Sequence, residues 1–315
     1  MIHVRELEKR YRKATRNALD GISFDVGPGE FFALLGPNGA GKTTTISILT
    51  TTIAPTAGTA TIAGHDIVRE ASTVRRLVGI IFQRPSLDVN LTGEENVRFH
   101  AVLYGRYAYA PLYRLMDRRY RHRLDELVAL LGIGREIFAP VRTYSGGTRR
   151  KLEVVRSLMH DPKVLFLDEP SAGLDVPTRR ALWDYLGTVR REAGTTIVLT
   201  THYLEEAEQT DRICVVDRGR IVANATPAEL KAELVEEYVV VDAADRQALD
   251  RELGARGIVH SGDGPLRIEL DGRSVHAVLR TIDTPLSLVQ THTPSLEDAY
   301  LEIVRRSAED GQETS

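Results

Sequence analysis

The sequence predicts an α/β protein with a mostly parallel sheet core, an antiparallel β flap, an α-helical insertion and a small C-terminal α+β domain of the ferredoxin-like type. Short apolar runs alternate with helix-like stretches as far as about residue 221, an order that is typical of parallel sheets covered by helices. A mainly helical pattern interrupts this alternation at residues 96–131. We therefore expect one large domain over 1–230, with a helical subdomain at about 88–160.

The individual elements of the large domain follow from two kinds of apolar pattern. Continuous apolar runs bounded by polar residues indicate strands that are buried on both faces. Four segments have this pattern: FFALLG, KVLFLDEP, TTIVLTTH and RICVVDRG. Two earlier segments, IHVRELEKRY and GISFDVGPGE, alternate instead, and the second ends in a Gly-Pro-Gly turn. Alternation with a turn predicts an antiparallel flap.

The pattern changes after residue 230. From 231 to 306 the predicted order is β-α-β-β-α-β followed by a last helix. This order matches the split β-α-β unit of ferredoxin-like domains. The polar residues 307–315 are expected to be a disordered tail.

Composition excludes several classes of protein. The 315 residues carry a net charge of −3, so no overall attraction to nucleic acid or to anionic lipid is expected. Cys214 is the only cysteine, which excludes an intrachain disulfide, and its apolar neighbours place it in the core. No run of 18 apolar residues and no apolar N-terminal leader are visible, so the chain is not expected to span a membrane by itself.

A glycine-rich turn follows the predicted strand FFALL and has the pattern Gly36-x-x-x-x-Gly41-Lys42-Thr43. Glycines let backbone N–H groups turn toward phosphate oxygens, and the following helix adds its N-terminal dipole. The lysine suits the β- and γ-phosphates, and the threonine hydroxyl suits Mg²⁺. An ordinary strand-to-helix turn is the weaker alternative. The predicted nucleotide contacts in this cradle are Gly36, Pro37, Asn38, Gly39, Ala40, Gly41, Lys42, Thr43 and Thr44.

Two more features carry chemistry. Asp168 and Glu169 end an apolar strand, where one carboxylate suits Mg²⁺ and the other suits a general base near the γ-phosphate. Ser145 is a good helix N-cap, and two glycines follow it. Taken alone, the first feature could be a solvated acidic turn and the second a plain capped helix.

Together with their order, these motifs make residues 1–230 resemble the nucleotide-binding subunit of ATP-binding cassette (ABC) transporters. The matching segments are YSGGT at 144–148 for the signature motif, SAGLD at 171–175 for the loop after the acidic strand, and His202 after TIVLTT. Gln83 after a strand and Tyr11 near the start complete the set. Tyr144 stands where leucine is usual in this family, and Thr148 where glutamine is usual.

The resemblance implies ATP and Mg²⁺ as ligands and a head-to-tail dimer in which each ATP lies between one cradle and the partner's signature helix. One signature and one cradle per chain suit a homodimer, and a dimer with a different cassette is the alternative. It implies catalytic roles for Glu169, His202 and Gln83, and magnesium contacts for Thr43, Gln83 and Asp168. It adds Tyr11, Ser145, Gly146, Gly147 and Asp175 to the nucleotide contacts. The alternatives are a plain strand-end role for His202 and Gln83 and a core or surface role for Tyr11.

The C-terminal segment TPAELK and the ending PSLEDAYL resemble daunorubicin-resistance-type ATPases. That resemblance implies a separate ABC-2 type permease, which contacts the segment 84–99, and export of a drug, antibiotic or lipid-like molecule at the cytoplasmic face of a bacterial plasma membrane. The alternative is a soluble ATPase that acts on nucleic acid or ribosomes, to which the tyrosines and arginines of 100–123 would contribute. A single cassette, an acidic pI of 6.3 and the absence of sustained heptads argue against nucleic acid as a partner.

Overall fold

The computed structural model describes residues 1–12, 14–82, 86–172, 174–234, 238–262, 264–270, 273–292 and 295–313. The chain divides into two compact units, Met1–Asn224 and Ala225–Ser315. This boundary lies six residues before the one predicted, because the helix that follows it belongs to the second unit. Gln83 lies outside the described residues.

The first unit contains two sheets and the helices around them. Its strands are β1 (Ile2–Lys9), β2 (Leu19–Val26), β3 (Phe31–Leu35), β4 (Ala57–Ile62), β5 (His65–Asp66), β6 (Val78–Ile81), β7 (Val164–Asp168), β8 (Thr196–Thr201), β9 (Arg212–Asp217) and β10 (Arg220–Ala225). Its helices are α1 (Lys42–Leu49), α2 (Ala71–Leu77), α3 (Gly93–Leu103), α4 (Arg118–Leu131), α5 (Gly146–Leu158), α6 (Val176–Ala193) and α7 (Leu204–Ala207).

The central sheet has the strand order β10-β9-β3-β8-β7-β6. The pairs of β3 with β8 and β9, and of β7 with β6 and β8, are parallel. Every residue of β3, β7 and β8 is buried, as the continuous apolar runs predicted. Cys214 on β9 is fully buried in the same core. The predicted parallel core is thus confirmed.

The flap is a second sheet with the order β2-β1-β4-β5, and its pairs are antiparallel. Along β1 the buried positions Ile2, Val4 and Leu7 join the core that also contains Phe32 of β3. The alternating segments predicted the pair of β1 and β2. They gave no sign of β4, which contains alanines and a glycine that are uncommon in strands, or of β5, which is only two residues long.

The helical insertion consists of α3, α4 and α5. The pattern over 96–131 is not continuously helical, because α3 ends at Leu103 and α4 starts at Arg118, with one short 3₁₀ turn between them. Asp117 caps α4 by accepting a hydrogen bond from the backbone of Arg119, and Gly132 ends it in the left-handed conformation. Both ends of α4 therefore have local sequence causes.

The tyrosines of this insertion mostly pack inside it. Tyr120 is fully buried, and its ring meets those of Tyr107 and Tyr113 edge to face. Tyr104 stacks against both His100 and His160, with ring centroids 4.4 and 4.3 Å away. Tyr109 remains 56% exposed. Rings held in this way are unavailable for stacking on nucleic-acid bases.

The second unit contains α8 (Pro227–Leu234), β11 (Tyr238–Ala243), α9 (Arg246–Ala255), β12 (His260–Ser261), β13 (Leu266–Glu269), α10 (Val275–Leu279), β14 (Leu286–His292) and α11 (Leu296–Glu313). Its antiparallel sheet has the order β12-β13-β11-β14, and the chain order is the predicted β-α-β-β-α-β. Helix α8 packs on α11.

The expectation of a disordered tail is wrong for residues 307–313, because α11 continues to Glu313. Its sequence there, SAEDGQE, lacks proline and contains several good helix formers. Among the residues that the structure describes, no helix has both the length and the apolar character that a membrane span requires.

Candidate active site

The predicted residues of the glycine-rich cradle, the acidic strand end and His202 lie together at one edge of the central sheet. Strand β8 lies between β3 and β7, and all three run in the same direction. In this register Leu35 is opposite Thr201, and Asp168 is opposite Thr200. The loops that leave β3, β7 and β8 therefore begin side by side, at the carboxyl edge where open parallel sheets bind ligands.

The cradle, residues 36–44, requires glycine at two positions. At Gly36 an added Cβ would lie 2.1 Å from the carbonyl oxygen of Val216, which no side chain tolerates. Gly41 has a φ of +112°, and a Cβ there would lie 2.7 Å from the carbonyl oxygen of Ala18. Gly41 also begins α1 without any side-chain cap, so the first N–H groups of that helix can bind an anion. The exposed residues between are Pro37, Asn38 and Gly39.

Lys42 follows the second of these glycines and is only 5% exposed. Its Nζ donates hydrogen bonds to the carbonyl oxygens of Gly36, at 2.7 Å, and Pro37, at 3.0 Å. Burial lowers the pKa of Lys42, and the charges of Glu169 and Asp168 partly oppose that effect. The ammonium group is thus fixed by the loop and can bind a phosphate oxygen in place of a carbonyl.

Asp168 connects the cradle to β7. Its Oδ1 accepts hydrogen bonds from the hydroxyl of Thr43, at 3.1 Å, and from the hydroxyl of Thr200, at 2.6 Å. The pair of Thr43 and Asp168 therefore brings a hydroxyl and a carboxylate oxygen together beside the cradle. Such hard oxygen donors are the ligands that Mg²⁺ uses in nucleotide sites, so these residues fit the predicted magnesium role.

Glu169 has a φ of +45°, a left-handed conformation that is uncommon for a residue other than glycine. Its backbone N–H donates to the Thr200 hydroxyl at 3.0 Å, which stabilises that conformation. Its Oε1 lies 3.4 Å from Nδ1 of His202. The His202 ring packs on Tyr203 with 3.9 Å between ring centroids. A carboxylate and an imidazole held in this way can orient and deprotonate a water molecule.

Tyr11 comes from the flap and reaches the cradle. Its hydroxyl lies 3.4 Å from that of Thr44, and the side chain is 46% exposed. The Nζ of Lys9 lies 5.6 Å from the centroid of the Tyr11 ring. The ring therefore offers an accessible face beside the cradle, as stacking on adenine requires.

The signature segment, residues 145–147, and Asp175 make local contacts instead. Ser145 caps α5 by accepting from the backbone N–H of Thr148, and Asp175 caps α6 by accepting from Thr178. A Cβ added at Gly147 would lie 3.2 Å from Thr178, so the two helices begin close together. Both helix starts present N–H groups and dipoles that attract anions.

The two departures from the usual signature have structural explanations. Tyr144 is 6% exposed, and its hydroxyl donates to the carbonyl oxygen of Glu136, so it belongs to the helical insertion. Burial raises the pKa of Tyr144 to about 12. The Thr148 hydroxyl lies 2.9 Å from that of Ser145 and thus supports the cap of α5.

Sequence reasoning did not identify Thr200 or Glu206. Thr200 bonds to both members of the acidic pair, and its position just before Thr201 and His202 at a strand end could have indicated it. Glu206 is 1% exposed and accepts hydrogen bonds from Thr201, at 2.7 Å, and from Ser171. No spacing rule connects Ser171 to Glu206, so only the fold shows that contact.

Comparison with known proteins agrees with this geometry. Residues 19–172 match the family described as ABC transporter. A daunorubicin resistance ATP-binding protein of Streptomyces coeruleorubidus is 46% identical over 72% of this chain and 68% of its own length. The daunorubicin/doxorubicin resistance ATP-binding protein of Streptomyces peucetius is 38% identical over 93% and 89%, respectively. Nod factor export ATP-binding protein I of Ralstonia nicotianae is 38% identical over 98% and 95%.

Two solved structures are also similar. An ATP-binding subunit of an ABC transporter is 30% identical with a TM-score of 0.65, covering 74% of this chain and 92% of that one. A dimeric ATP-binding cassette in a post-hydrolysis state, bound to ADP and phosphate, is 26% identical with a TM-score of 0.64, covering 72% and 98%.

The fold and the site thus define a P-loop ATPase of the cassette type. The chain belongs to the ATP-binding proteins of ABC transporters: it hydrolyses ATP for transport, as the ATP-binding subunit of an exporter.

Proposed function

We propose that two copies of this chain bind two ATP molecules head to tail, each between the cradle of one copy and the signature segment of the other. This proposal rests on the observation that the cradle and the signature segment have separate sets of contacts. On the cradle side, Thr43 is hydrogen-bonded to Asp168, and Glu169 lies close to His202. Lys42 precedes Thr43 in the chain and Glu169 follows Asp168, so these five residues form one connected group. The signature segment instead caps its own helix. A dimeric cassette bound to ADP and phosphate is among the similar structures.

In this arrangement Lys42 binds the β- and γ-phosphates, and Tyr11 stacks on adenine. Mg²⁺, when bound, would be held by Thr43 and Asp168 with Gln83, and it would neutralise phosphate charge. Glu169 accepts the proton of the attacking water, and His202 orients that water and contacts the γ-phosphate. The partner's Ser145, Gly146 and Gly147 donate to the γ-phosphate from the opposite side, and its Asp175 helps to close the interface.

ATP then stabilises the dimer of the two copies, and hydrolysis allows the copies to separate. A ligand that binds only the associated state shifts the equilibrium toward association by its binding free energy. This cycle would drive a separate ABC-2 type permease at the cytoplasmic face of a bacterial plasma membrane. The relatives named for daunorubicin, doxorubicin and Nod factor support a drug, antibiotic or lipid-like substrate.

The permease would dock on the helical insertion. Within 82–103 four large apolar side chains are exposed, two before α3 and two on it: Phe82 (37%), Val89 (42%), Phe99 (43%) and Leu103 (82%). A group of exposed apolar residues is typical of a protein interface. This surface overlaps the segment 84–99, and its residues Arg84 and Pro85 lie outside the described residues.

The test is the mass of purified Glu169→Gln protein, measured by light scattering with and without ATP and Mg²⁺. We expect a monomer without nucleotide and a dimer with it, since binding is kept while hydrolysis is stopped. A Ser145→Arg variant in the same background is the control, because a large cation at the helix start should block the trans contact. A protein that binds ATP yet stays monomeric would contradict the head-to-tail pair.

A further inference from the structure

Arg150 is a buried residue of α5, one helical turn after Gly146, and only 7% of it is exposed. Its Nε donates to the carbonyl oxygen of Pro170 at 3.0 Å. Its Nη1 donates to the carbonyl oxygen of Phe82 at 2.6 Å and to Oε2 of Glu153 at 3.0 Å. One guanidinium group therefore joins the signature helix to two loops at the edge of the sheet.

Both loops belong to the catalytic machinery. Pro170 directly follows Glu169, and Phe82 directly precedes Gln83. Glu153 is 1% exposed, and its Oε1 accepts a hydrogen bond from the backbone N–H of Ser86 at 3.0 Å. The helix α5 thus contacts the chain on both sides of the segment 83–85 and immediately after the general base.

The chemistry of this contact is specific to arginine. The planar guanidinium offers five N–H donors in a fixed arrangement, so it can serve several acceptors at once in a set geometry. A buried ion pair is weak evidence for stability, because apolar residues of similar size often serve as well. The two carbonyl acceptors therefore indicate a directional role rather than a packing role.

We propose that Arg150 is a positioning residue that couples the two ATP sites of the dimer. In the proposed pair the start of α5 contacts the partner's γ-phosphate. Arg150 lies four residues after Gly146, about 6 Å along the helix axis at 1.5 Å per residue, so a displacement of the first turn also displaces Arg150. Arg150 then moves the backbone beside Glu169 and Gln83 of its own chain. ATP bound at the partner's cradle thereby aligns Glu169 at the cradle of the chain that carries Arg150. The inference rests on the proposed head-to-tail pair.

The experiment measures ATP hydrolysis by the full chain over a range of ATP concentrations. One variant combines Arg150→Met with Glu153→Gln, so that no unpaired charge is left buried while the amide oxygen of the new side chain can still accept from Ser86. The second variant is Arg150→Lys, which keeps the positive charge but not the planar set of donors. Arg119→Met, on α4 with 85% of its side chain exposed, is the control. ATP binding and the urea unfolding midpoint are measured for each.

We expect the double variant to lose about tenfold in kcat, because a small misplacement of the base is enough for a loss of that size. Its Hill coefficient should fall to 1, because the two sites would no longer be coupled. Affinity for ATP and the unfolding midpoint should stay near the parent values, and Arg150→Lys should recover part of kcat. An unchanged Hill coefficient in both variants would overturn the inference alone. Losses of ATP affinity and of the unfolding midpoint that accompany the loss of kcat would also overturn the inference, because they indicate a structural role for Arg150. A parent Hill coefficient of 1 would also overturn the inference, whereas the proposed pair is decided separately by the light-scattering experiment on Glu169→Gln.

Discussion

Nδ1 of His202 lies 3.4 Å from Oε1 of Glu169, across the ends of the neighbouring strands β8 and β7. The contact depends on the parallel register, which places Thr200 opposite Asp168, and on the left-handed backbone of Glu169. The side chains of Glu169, the proposed base, and of His202 are therefore positioned by the sheet and by the left-handed backbone of Glu169 itself. This arrangement is the basis of the first prediction.

Glu169→Gln should lower kcat by about 10²- to 10⁴-fold, the usual contribution of a general base. Binding of ATP should persist, because Lys42 and the glycine loop are untouched. Phosphate release and binding of a fluorescent ATP analogue measure the two effects. The exposed Glu192→Gln is the matched control. Steady-state turnover of Glu169→Gln near the parent rate would show that Glu169 is not the general base.

Lys42→Ala should abolish detectable ATP binding, since it removes the ammonium group that the loop carbonyls hold in place. Lys163→Ala, which changes an exposed lysine just before β7, is the control for loss of a positive charge. Equilibrium binding of labelled ATP measures both. Parent-like affinity in Lys42→Ala would refute the phosphate contact.

Tyr144→Phe should lower the free energy of unfolding by about 1 kcal/mol, the usual net value of one buried hydrogen bond. The carbonyl of Glu136 then loses the donor that it has in the native protein. Urea unfolding measures the change, with Tyr109→Phe as the control because that ring is 56% exposed. No loss of stability would show that water satisfies the carbonyl equally well.

Acidification should destabilise the helical insertion through His100. Burial, with the charges of Arg156 and His160, lowers the pKa of His100 to about 3. Below the unfolded value near 6.5 the unfolded chain binds a proton that the folded chain does not, so stability is full above that pH and falls as the pH falls.

Between pH 7 and pH 5 the parent should therefore lose about 2 kcal/mol more than His100→Phe, which keeps the stacking on Tyr104 without a titrating group. Urea unfolding at both pH values measures this difference. His122→Gln, whose side chain is 75% exposed, should behave like the parent. An equal loss of unfolding free energy in the parent and in His100→Phe would exclude His100 as the cause.

Much of the architecture could be predicted because its causes are local. Continuous apolar runs specify β3, β7 and β8, and the glycine-rich pattern that follows β3 predicted the cradle. The order of short segments in the second unit gave its topology. The strands β4 and β5 were missed because their sequences are weakly patterned, and only the pairing of β4 with β1 and of β5 with β4 makes them strands.

The supporting residues of the site were beyond sequence reasoning for a different reason. Thr200, Glu206 and Arg150 each form at least one hydrogen bond to a residue that lies 20 to 68 positions away in the chain. No periodicity connects such pairs, and their side chains have ordinary alternative roles. The motifs could be placed from the sequence, whereas the contacts that hold them together required the fold.

The sole cysteine has a practical consequence for experiments on this protein. Cys214 is fully buried in β9, and burial raises the pKa of its thiol, so it will react slowly with maleimides. A single cysteine introduced on the surface would thus be labelled selectively in the native chain, without first removing other thiols. Distances between two labelled copies could then be followed by fluorescence or by electron spin resonance throughout a cycle of nucleotide binding and release.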